Sequence, residues 1–255
     1  LQLSYKHNFP RSGQELTADV TYNNSNSNNI NFIETGYYNL PQNTLNNIFK
    51  QQQNGTGNFE NLVLQTDYSN PITDKSKFEM GLRTSIRKVD SKNSFYFIDA
   101  AGNAIYNPLL SVNYNSTDKV YAAYSTYTNK IKKLGYQLGL RVESSDYKGH
   151  LPDKNQQFNI KYPISIFPSV FLSNKMKNDR ELQLNYTRKI NRPNFFQLYP
   201  YTDYSDSLNI SRGNPDLRPE FTNSFELSYQ KIFKKNKDNF LASLYYKNTT
   251  NLIAR

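Results

Sequence analysis

The stretch LGYQLGLRVE at residues 134–143 alternates between apolar and polar side chains without a break. One face carries leucines, a tyrosine and a valine, whereas the other carries two glycines, Gln137, Arg141 and Glu143. A two-residue period of this kind predicts a β-strand with unlike faces. Charged side chains exclude a dry core on the polar side, so the apolar side must meet either lipid or a second sheet.

The same alternation recurs along the chain. It is clear at 15–23, 77–87, 181–190 and 224–231, and further strands are expected at 1–6, 61–69, 120–128, 166–173 and 240–247. The pattern is ambiguous at 120–128 and 166–173, and Pro168 is expected at an edge, a strand end or a bulge because proline donates no ladder hydrogen bond. Each apolar stripe lasts about nine residues, which matches a tilted strand that crosses a membrane. The sequence therefore predicts about ten strands.

Short and long connections alternate between these strands. The short ones are rich in lysine and lie near 7–14, 70–77, 128–133, 174–180 and 233–239, and the long ones are rich in asparagine and tyrosine and lie near 24–60, 88–113, 146–165 and 190–222. A barrel in an outer membrane has tight turns at one rim and long loops at the other. The segments at 23–31 and 51–54 are expected to be mobile loop, and 39–49 is expected to include a short helix.

The composition favours strands over helices as membrane-crossing elements. Only 36% of the 255 residues are hydrophobic and the mean hydropathy is −0.79, which a barrel tolerates because one face of each strand is polar. No apolar run approaches the roughly 18 residues of a transmembrane helix. Many of the basic residues behind the net charge of +10 lie in the short turns. Solvated hairpin ends therefore explain the charge better than a nucleic-acid partner does.

Two neighbouring segments carry loop and turn signals. They are Arg192-Pro193-Asn194-Phe195-Phe196-Gln197-Leu198-Tyr199-Pro200 and Gly213-Asn214-Pro215-Asp216-Leu217-Arg218-Pro219-Glu220. The Gly-Asn-Pro tripeptide predicts a turn. Leu217 is expected to anchor the loop against the wall, and Pro219 is expected to fix φ where a strand begins. On these grounds alone, the segments fold a long loop back into a strand.

These segments resemble a block found in TonB-dependent outer-membrane receptors. The matching residues are Arg192, Pro193, Gly213, Asn214, Pro215, Leu217, Pro219 and Glu220. Residues 3–9, 66–71, 139–143 and 186–193 are similar to other segments of the same family. The resemblance covers most of the chain and is nearest to the branch described as outer membrane beta-barrel proteins.

The resemblance implies an all-β fold, an antiparallel transmembrane β-barrel, in which about ten strands form part of a wall of about 22. Residues 1–255 are expected to be a single barrel segment truncated at both ends, without a plug domain or a TonB box. The implied protein is a non-enzymatic receptor in the outer membrane of a Gram-negative cell, without cofactor or metal. It takes up a ferric chelate, a sugar or a peptide. Its implied partners are outer-membrane lipid and lipopolysaccharide, the TonB energy-coupling protein acting through a plug, and a surface lipoprotein, but no nucleic acid.

The expected ligand contacts lie on the polar strand face and in the long loop at 190–222. On the polar face they are Arg83, Arg87, Arg141, Glu143 and Glu226, with Asp19 beside them, and in the loop they are Arg192, Asn194, Tyr201, Asp203, Tyr204 and Arg212. Basic residues suit an anionic ligand such as a ferric chelate, whereas tyrosine and asparagine suit a sugar or a peptide. Solvation of the barrel interior explains most of these residues equally well.

Two other functions compete with the receptor. An outer-membrane hydrolase would need a general acid or base; His7 is expected in a short turn, and His150 in a long loop beside Asp146 and Asp153. A soluble β-sandwich binding module would need the apolar faces to pack against each other.

Arg188 has the parity of the apolar face near the loop end of its strand, where an arginine costs about 0–1 kcal/mol. It is a candidate contact for lipopolysaccharide phosphate.

Overall fold

The structure, a computed structural model, describes residues 1–198, 202–203, 211–214, 216–233 and 238–254. Its main sheet has ten strands: β1 (Gln2–Asn8), β2 (Glu15–Asn39), β3 (Thr44–Thr73), β4 (Ser76–Ile98), β5 (Ala104–Ile131), β6 (Leu134–Leu151), β7 (Gln156–Met176), β8 (Arg180–Asn191), β11 (Glu220–Phe233) and β12 (Asp238–Thr250). Between β8 and β11 lie a short helix, α1 (Phe195–Leu198), and a separate ladder of β9 (Thr202–Asp203) and β10 (Ser211–Arg212).

The strands of the main sheet are antiparallel and follow one another in chain order, with β1 and β12 at its two edges. The sheet does not close on itself within the described ranges. The predicted fold class, an all-β barrel wall of about ten antiparallel strands, is confirmed. No helix in the described part of the chain has the length and hydropathy needed to cross a membrane.

Tight turns join the strands at one rim of the sheet. They occupy 9–14, 74–75, 132–133 and 177–179, as predicted. The fifth predicted turn, near 233–239, includes residues 234–237, which lie outside the described residues.

At the opposite rim, the prediction of a long loop is wrong for three of the four connections. The connections there are only 40–43, 99–103 and 152–155, while the fourth, 192–219, is long as expected. The asparagine-rich segments are strand, with Asn28 of β2 paired to Thr56 of β3, and the helix expected at 39–49 is a turn between two strands. Above a membrane both sheet faces are wet, so polar side chains do not prevent backbone pairing. About 9–11 residues cross a bilayer, so the 25 residues of β2 and the 30 of β3 extend far beyond it.

The apolar stripes form one continuous exposed face. Representative side chains across this face are Leu82 at 61% exposure, Leu140 at 48% and Leu244 at 73%. The buried hydrophobic residues in the described ranges number five, namely Phe95, Ala122, Leu151, Phe167 and Leu198. An exposed apolar surface of this extent requires a lipid environment. The soluble β-sandwich alternative is wrong, because no second sheet in the described residues covers the stripes.

Pro168 lies in β7 at the point where that strand loses a neighbour. It pairs with Leu140 of β6, whereas the β7–β8 ladder begins one residue later, at Ser169 and Thr187. The missing N–H therefore breaks no bond to β8, which confirms the expected edge position. Beside this gap, the Arg188 guanidinium of β8 lies over the Phe221 ring of β11, 4.9 Å from the ring centroid. This cation–π contact accommodates a charge on a face that is otherwise apolar.

Candidate functional site

The inner face of the sheet, opposite the apolar stripes, carries an ion-pair cluster level with the end of the stripe 134–142 that is farther from the tight turns. Glu143 of β6 is 8% exposed, and its two carboxylate oxygens accept from different arginines. Arg141 Nε donates to Oε1 at 2.6 Å, and Arg192 Nη2 donates to Oε2. Arg192 is the first residue after β8. The cluster therefore holds the start of the long loop 192–219 against the wall.

One cation–π contact and a series of hydrogen bonds extend this cluster across four strands. The Arg141 guanidinium lies 5.4 Å from the centroid of the Tyr124 ring, and Tyr124 donates its hydroxyl hydrogen to Asp67 Oδ1 at 2.5 Å. Gln65 Nε2 donates to Asp67 Oδ2 at 2.8 Å and accepts at Oε1 from Arg83 Nη1 at 3.0 Å. The network thus joins three arginines and one carboxylate that the sequence predicted as ligand contacts. The sequence did not single out Gln65, Asp67 or Tyr124.

Gly81 makes the middle of this network possible. It lies on β4 between Asp67 of β3 and Tyr124 of β5, its register partners on either side. A Cβ at this position would stand 2.5 Å from the Tyr124 ring and 2.6 Å from Asp67 Oδ1. The tyrosine therefore reaches its aspartate by crossing over a residue without a side chain. A glycine at a polar-face position of 77–87 is the sequence signal for this crossing.

The other predicted contacts lie apart from the network. Arg87 Nε donates to Asp118 Oδ2 at 2.9 Å in a separate ion pair. Glu226 is exposed on β11 and accepts from Ser228 Oγ at 3.2 Å. Arg212 is exposed in β10, paired across the small ladder with β9, which contains Asp203. Tyr201 and Tyr204 lie outside the described residues.

The first segment of the family motif includes the start of α1. Asn194 Oδ1 accepts from the Gln197 backbone N–H at 3.0 Å, and Gln197 Oε1 accepts from the Asn194 N–H at 2.9 Å. This reciprocal pair is a capping box with an amide at each position. Leu198 at the end of the helix is 3% exposed. Asn194, predicted as a ligand contact, therefore caps a helix.

The second half of the motif is a turn that packs on the first. The Asn214 N–H donates to the Gln197 carbonyl at 2.7 Å. Asn214 Oδ1 accepts from the Asp216 N–H at 2.9 Å, and its carbonyl accepts from the Leu217 N–H at 3.3 Å. The predicted turn is confirmed, with Pro215 outside the described residues. Leu217 is partly buried, in agreement with its expected anchoring role.

Glu220 fastens the end of the loop to two other segments. Its Oε2 accepts from Asn191 Nδ2 at 2.7 Å, and its Oε1 accepts from the Ile253 N–H at 2.6 Å. Pro219, buried just before it, accepts at its carbonyl from Asn251 Nδ2 at 3.3 Å. The motif glutamate thus joins β8, β11 and the segment after β12. The hydrogen bond from Asn191, followed by that from the Ile253 N–H, lowers the pKa of the Glu220 carboxyl.

Neutralising Glu220 is expected to loosen this junction. In Glu220→Gln, the amide replaces one acceptor oxygen by a donor, so one of the two bonds is lost. We expect faster amide hydrogen exchange at 251–254, measured by mass spectrometry on the full-length protein that contains this chain. Because the folded-state pKa is lowered, the carboxylate stabilises the junction above its ordinary pKa, and this is lost as pH falls through the lowered value. Lowering the pH should therefore speed amide exchange at 251–254 in the native protein but not in Glu220→Gln. Equal exchange in Asp216→Asn, an exposed control, and Glu220→Gln would contradict this role.

Neither histidine lies where the sequence placed it. His7 is in β1, paired with Leu16, and His150 is in β6, paired with Asn115 and Gln157. Both are exposed strand residues rather than turn or loop residues. Asp146 is also in β6, and Asp153 is in the 3-10 turn Pro152–Lys154 that follows it. No group of three or more acidic or histidine side chains in the described ranges is arranged to hold a metal ion.

A polar concavity of about 490 Å³ lies in the upper parts of β2 to β5. Its lining includes Asn26, Asn58, Asp90, Lys92 and Asn115. These five residues have the parity of the outer face, whereas Ser27, Gly57, Ser91 and Tyr114, which also line it, have that of the inner face. Asn115 Nδ2 donates to Asp90 Oδ1. Amides beside one carboxylate and one ammonium suit the hydroxyl groups of a sugar.

An antiparallel sheet with a lipid-facing exterior and a charged interior defines the wall of an outer-membrane β-barrel. The chain belongs to the outer membrane protein beta-barrel family, which it matches over residues 7–255. The protein therefore resides in the outer membrane of a Gram-negative cell. A search of the curated proteins by sequence gave no match.

Solved structures show the same fold. The chain is similar to the unliganded ferric citrate transporter FecA, at 13% identity and a TM-score of 0.65, with 97% of this chain and 34% of that chain covered. It is also similar to the ferric yersiniabactin uptake receptor FyuA from Yersinia pestis, at 13% identity and a TM-score of 0.62, with 98% of this chain and 35% of that chain covered. For the copper transporter OprC the identity is 14% and the TM-score 0.62, with 96% of this chain and 37% of that chain covered. The expected resemblance to TonB-dependent receptors is confirmed at the level of fold. The chain spans about a third of the length of these structures.

Proposed function

We propose that this chain forms part of the wall of an outer-membrane receptor that takes up a small anionic ligand, such as a ferric chelate. The observation that carries the proposal is the inner-face network, in which side chains of three strands, Gln65, Tyr124 and Glu143, hold Arg83, Arg141 and Arg192. Fixed guanidinium groups facing a water-filled lumen attract an anion and bind its oxygens with charge-assisted hydrogen bonds. Binding and passage need no covalent chemistry, so the proposed role is not enzymatic.

The proposed uptake is driven by TonB acting through a plug domain. The ligand would bind to the plug and the extracellular side of the wall, and plug movement would open the lumen. Lipid and lipopolysaccharide would contact the apolar stripes and Arg188, and a surface lipoprotein is a further proposed partner. The support is the fold shared with outer-membrane uptake proteins.

A sugar is the second candidate ligand. The amide-lined concavity above the apolar stripes favours it, because asparagine side chains both donate to and accept from hydroxyl groups.

Uptake by cells that express the full-length protein tests the proposal. We expect uptake of ⁵⁵Fe-citrate that disappears when TonB is inactivated. The double variant Arg83→Gln/Arg141→Gln is expected to reduce the initial rate about tenfold or more, since each charge-assisted bond contributes about 1.5–3 kcal/mol. The matched control Lys88→Gln/Lys119→Gln removes the same charge from the outer face.

Three results would change the assignment. Uptake that persists without TonB contradicts the proposed coupling. Uptake of radiolabelled maltohexaose in place of ⁵⁵Fe-citrate replaces the anionic ligand by a sugar. If neither probe enters although the protein is present at the cell surface, the wall serves as a scaffold and the transport proposal fails.

A further inference from the structure

Directly above the Glu143 ion pairs, the inner face carries a cluster of hydroxyl groups next to Arg192. Ser145 and Tyr147 follow Glu143 at alternate positions of β6, and Tyr162 of β7 is the register partner of Ser145. The Tyr147 and Tyr162 rings are in edge contact, with centroids 6.0 Å apart. Ser145 is 3% exposed. We call Ser145, Tyr162 and Arg192 the donor cluster.

Each member of the donor cluster has a buried polar atom without a hydrogen-bond partner in the described residues. These atoms are Ser145 Oγ, the Tyr162 hydroxyl and Arg192 Nε. The nearby carboxylate of Glu143 already accepts from an arginine at each of its oxygens. An unsatisfied buried donor destabilises a protein, so three together indicate that something else completes the site.

Register and shared contacts bring the cluster together, because Ser145 pairs with Tyr162 and Arg192 binds the Glu143 carboxylate two residues before Ser145. Burial, the largest effect, raises the pKa of Tyr147. The positive charge of Arg192 acts on the pKa of both Tyr147 and Tyr162, and burial raises the pKa of Tyr162. Both phenols therefore remain protonated donors at neutral pH. Ser145, Tyr147, Tyr162 and Arg192 thus lie near one another on the inner face.

The charge balance favours an anionic occupant. Arg141 and Arg192 share the single carboxylate of Glu143, which leaves one positive charge over. An arginine Nε can only donate a hydrogen bond, and both hydroxyls can donate. A group with several acceptor oxygens and a negative charge matches this set, whereas a cation or an amide N–H does not.

We propose that Ser145, Tyr162 and Arg192 bind an oxyanion group, a carboxylate or a phosphate, of the ligand that enters the lumen. The proposal rests on the proposed uptake function and narrows its ligand class. Tyr147 and Tyr162 are themselves only partly buried, so the cluster borders the lumen. The competing occupant is an ordered water molecule, which would also satisfy buried donors.

Phosphorus NMR of inorganic phosphate tests the site. The probe is titrated onto the full-length protein, purified in detergent in a phosphate-free buffer, and binding is read from the width of the phosphate resonance. We expect saturable broadening that acetate reverses. Tyr162→Phe and Ser145→Ala are each expected to weaken phosphate binding about tenfold, the effect of one lost hydrogen bond to a charged group. The matched control is Tyr121→Phe, which removes a hydroxyl from the outer face of β5.

The outcomes separate the two proposals. Broadening that is absent, or equal in Tyr162→Phe and Tyr121→Phe, overturns the oxyanion site. A lower thermal unfolding midpoint of Tyr162→Phe in phosphate-free buffer also overturns it, because a lost bond to a resident water would cause that decrease. Phosphate binding with no cellular uptake overturns the transport function and leaves the oxyanion site standing. TonB-dependent uptake without phosphate binding overturns the oxyanion site and leaves the transport function standing.

Discussion

Leu138→Arg is expected to lower the free energy of unfolding by about 2–4 kcal/mol, the cost of an arginine at the bilayer midplane on the lipid-facing side of a barrel. Leu138 lies at the centre of the apolar stripe 134–142 of β6 and is 46% exposed. Exposure of that size in water would make the substitution nearly neutral. The predicted loss therefore depends entirely on hydrocarbon outside this face.

The measurement is guanidinium unfolding of the full-length protein in phospholipid vesicles, with gel mobility without boiling as a second readout of the folded fraction. Gln137→Arg is the matched control, since it introduces the same side chain one residue away on the opposite, exposed face. We expect the control to change stability by less than about 1 kcal/mol. Equal losses in both variants would show that the stripe does not contact lipid.

Glu143→Gln is expected to destabilise the protein by about 2–3 kcal/mol. The substitution leaves two arginines facing each other without the carboxylate between them, and breaking a fully buried pair costs about 3–5 kcal/mol. A lower value applies here because the Arg141 and Arg192 side chains are 34% and 19% exposed. Glu226→Gln, an exposed glutamate on the same face, is the control and should cost less than about 0.5 kcal/mol.

A double-mutant cycle identifies the origin of this loss. If Glu143 acts through Arg192, adding Arg192→Gln to Glu143→Gln should cost less than the sum of the single variants, by about 1 kcal/mol or more. Unfolding midpoints of the four proteins in the same vesicles give the coupling energy. Strict additivity would mean that the loop start is held by its turns and prolines rather than by the ion pair.

The membrane-crossing part of each strand could be predicted from the sequence because lipid imposes a strict alternation there. Residues 134–142 show this alternation, as do the other clear stripes. Beyond the membrane that constraint ends, so the strand extensions at 24–39 and 44–60 carry polar residues on both faces. Composition suggested loops there, whereas backbone pairing made them strands.

The candidate site was only partly predictable, because its contacts depend on register between strands. Arg141 and Glu143 are two residues apart on one strand, so their shared face was visible. The contact of Tyr124 with Asp67 depends on two strand registers and on Gly81 between them. The pairing of Ser145 with Tyr162 depends on the register shift between Glu143 and Ser145. A slip of one residue in any ladder would put these side chains on the opposite face.

The long paired extensions of β2 to β5 alter how a molecule from outside would be recognised. A flexible loop must lose about 1–2 kcal/mol of backbone conformational entropy per residue when a ligand orders it. In the ladders that pair β2 with β3, and β3 with β4, this cost falls on protein folding instead, before any ligand arrives. The extracellular surface of this wall is thus preorganised, and selectivity among ligands should depend on shape and hydrogen-bond match rather than on loop closure.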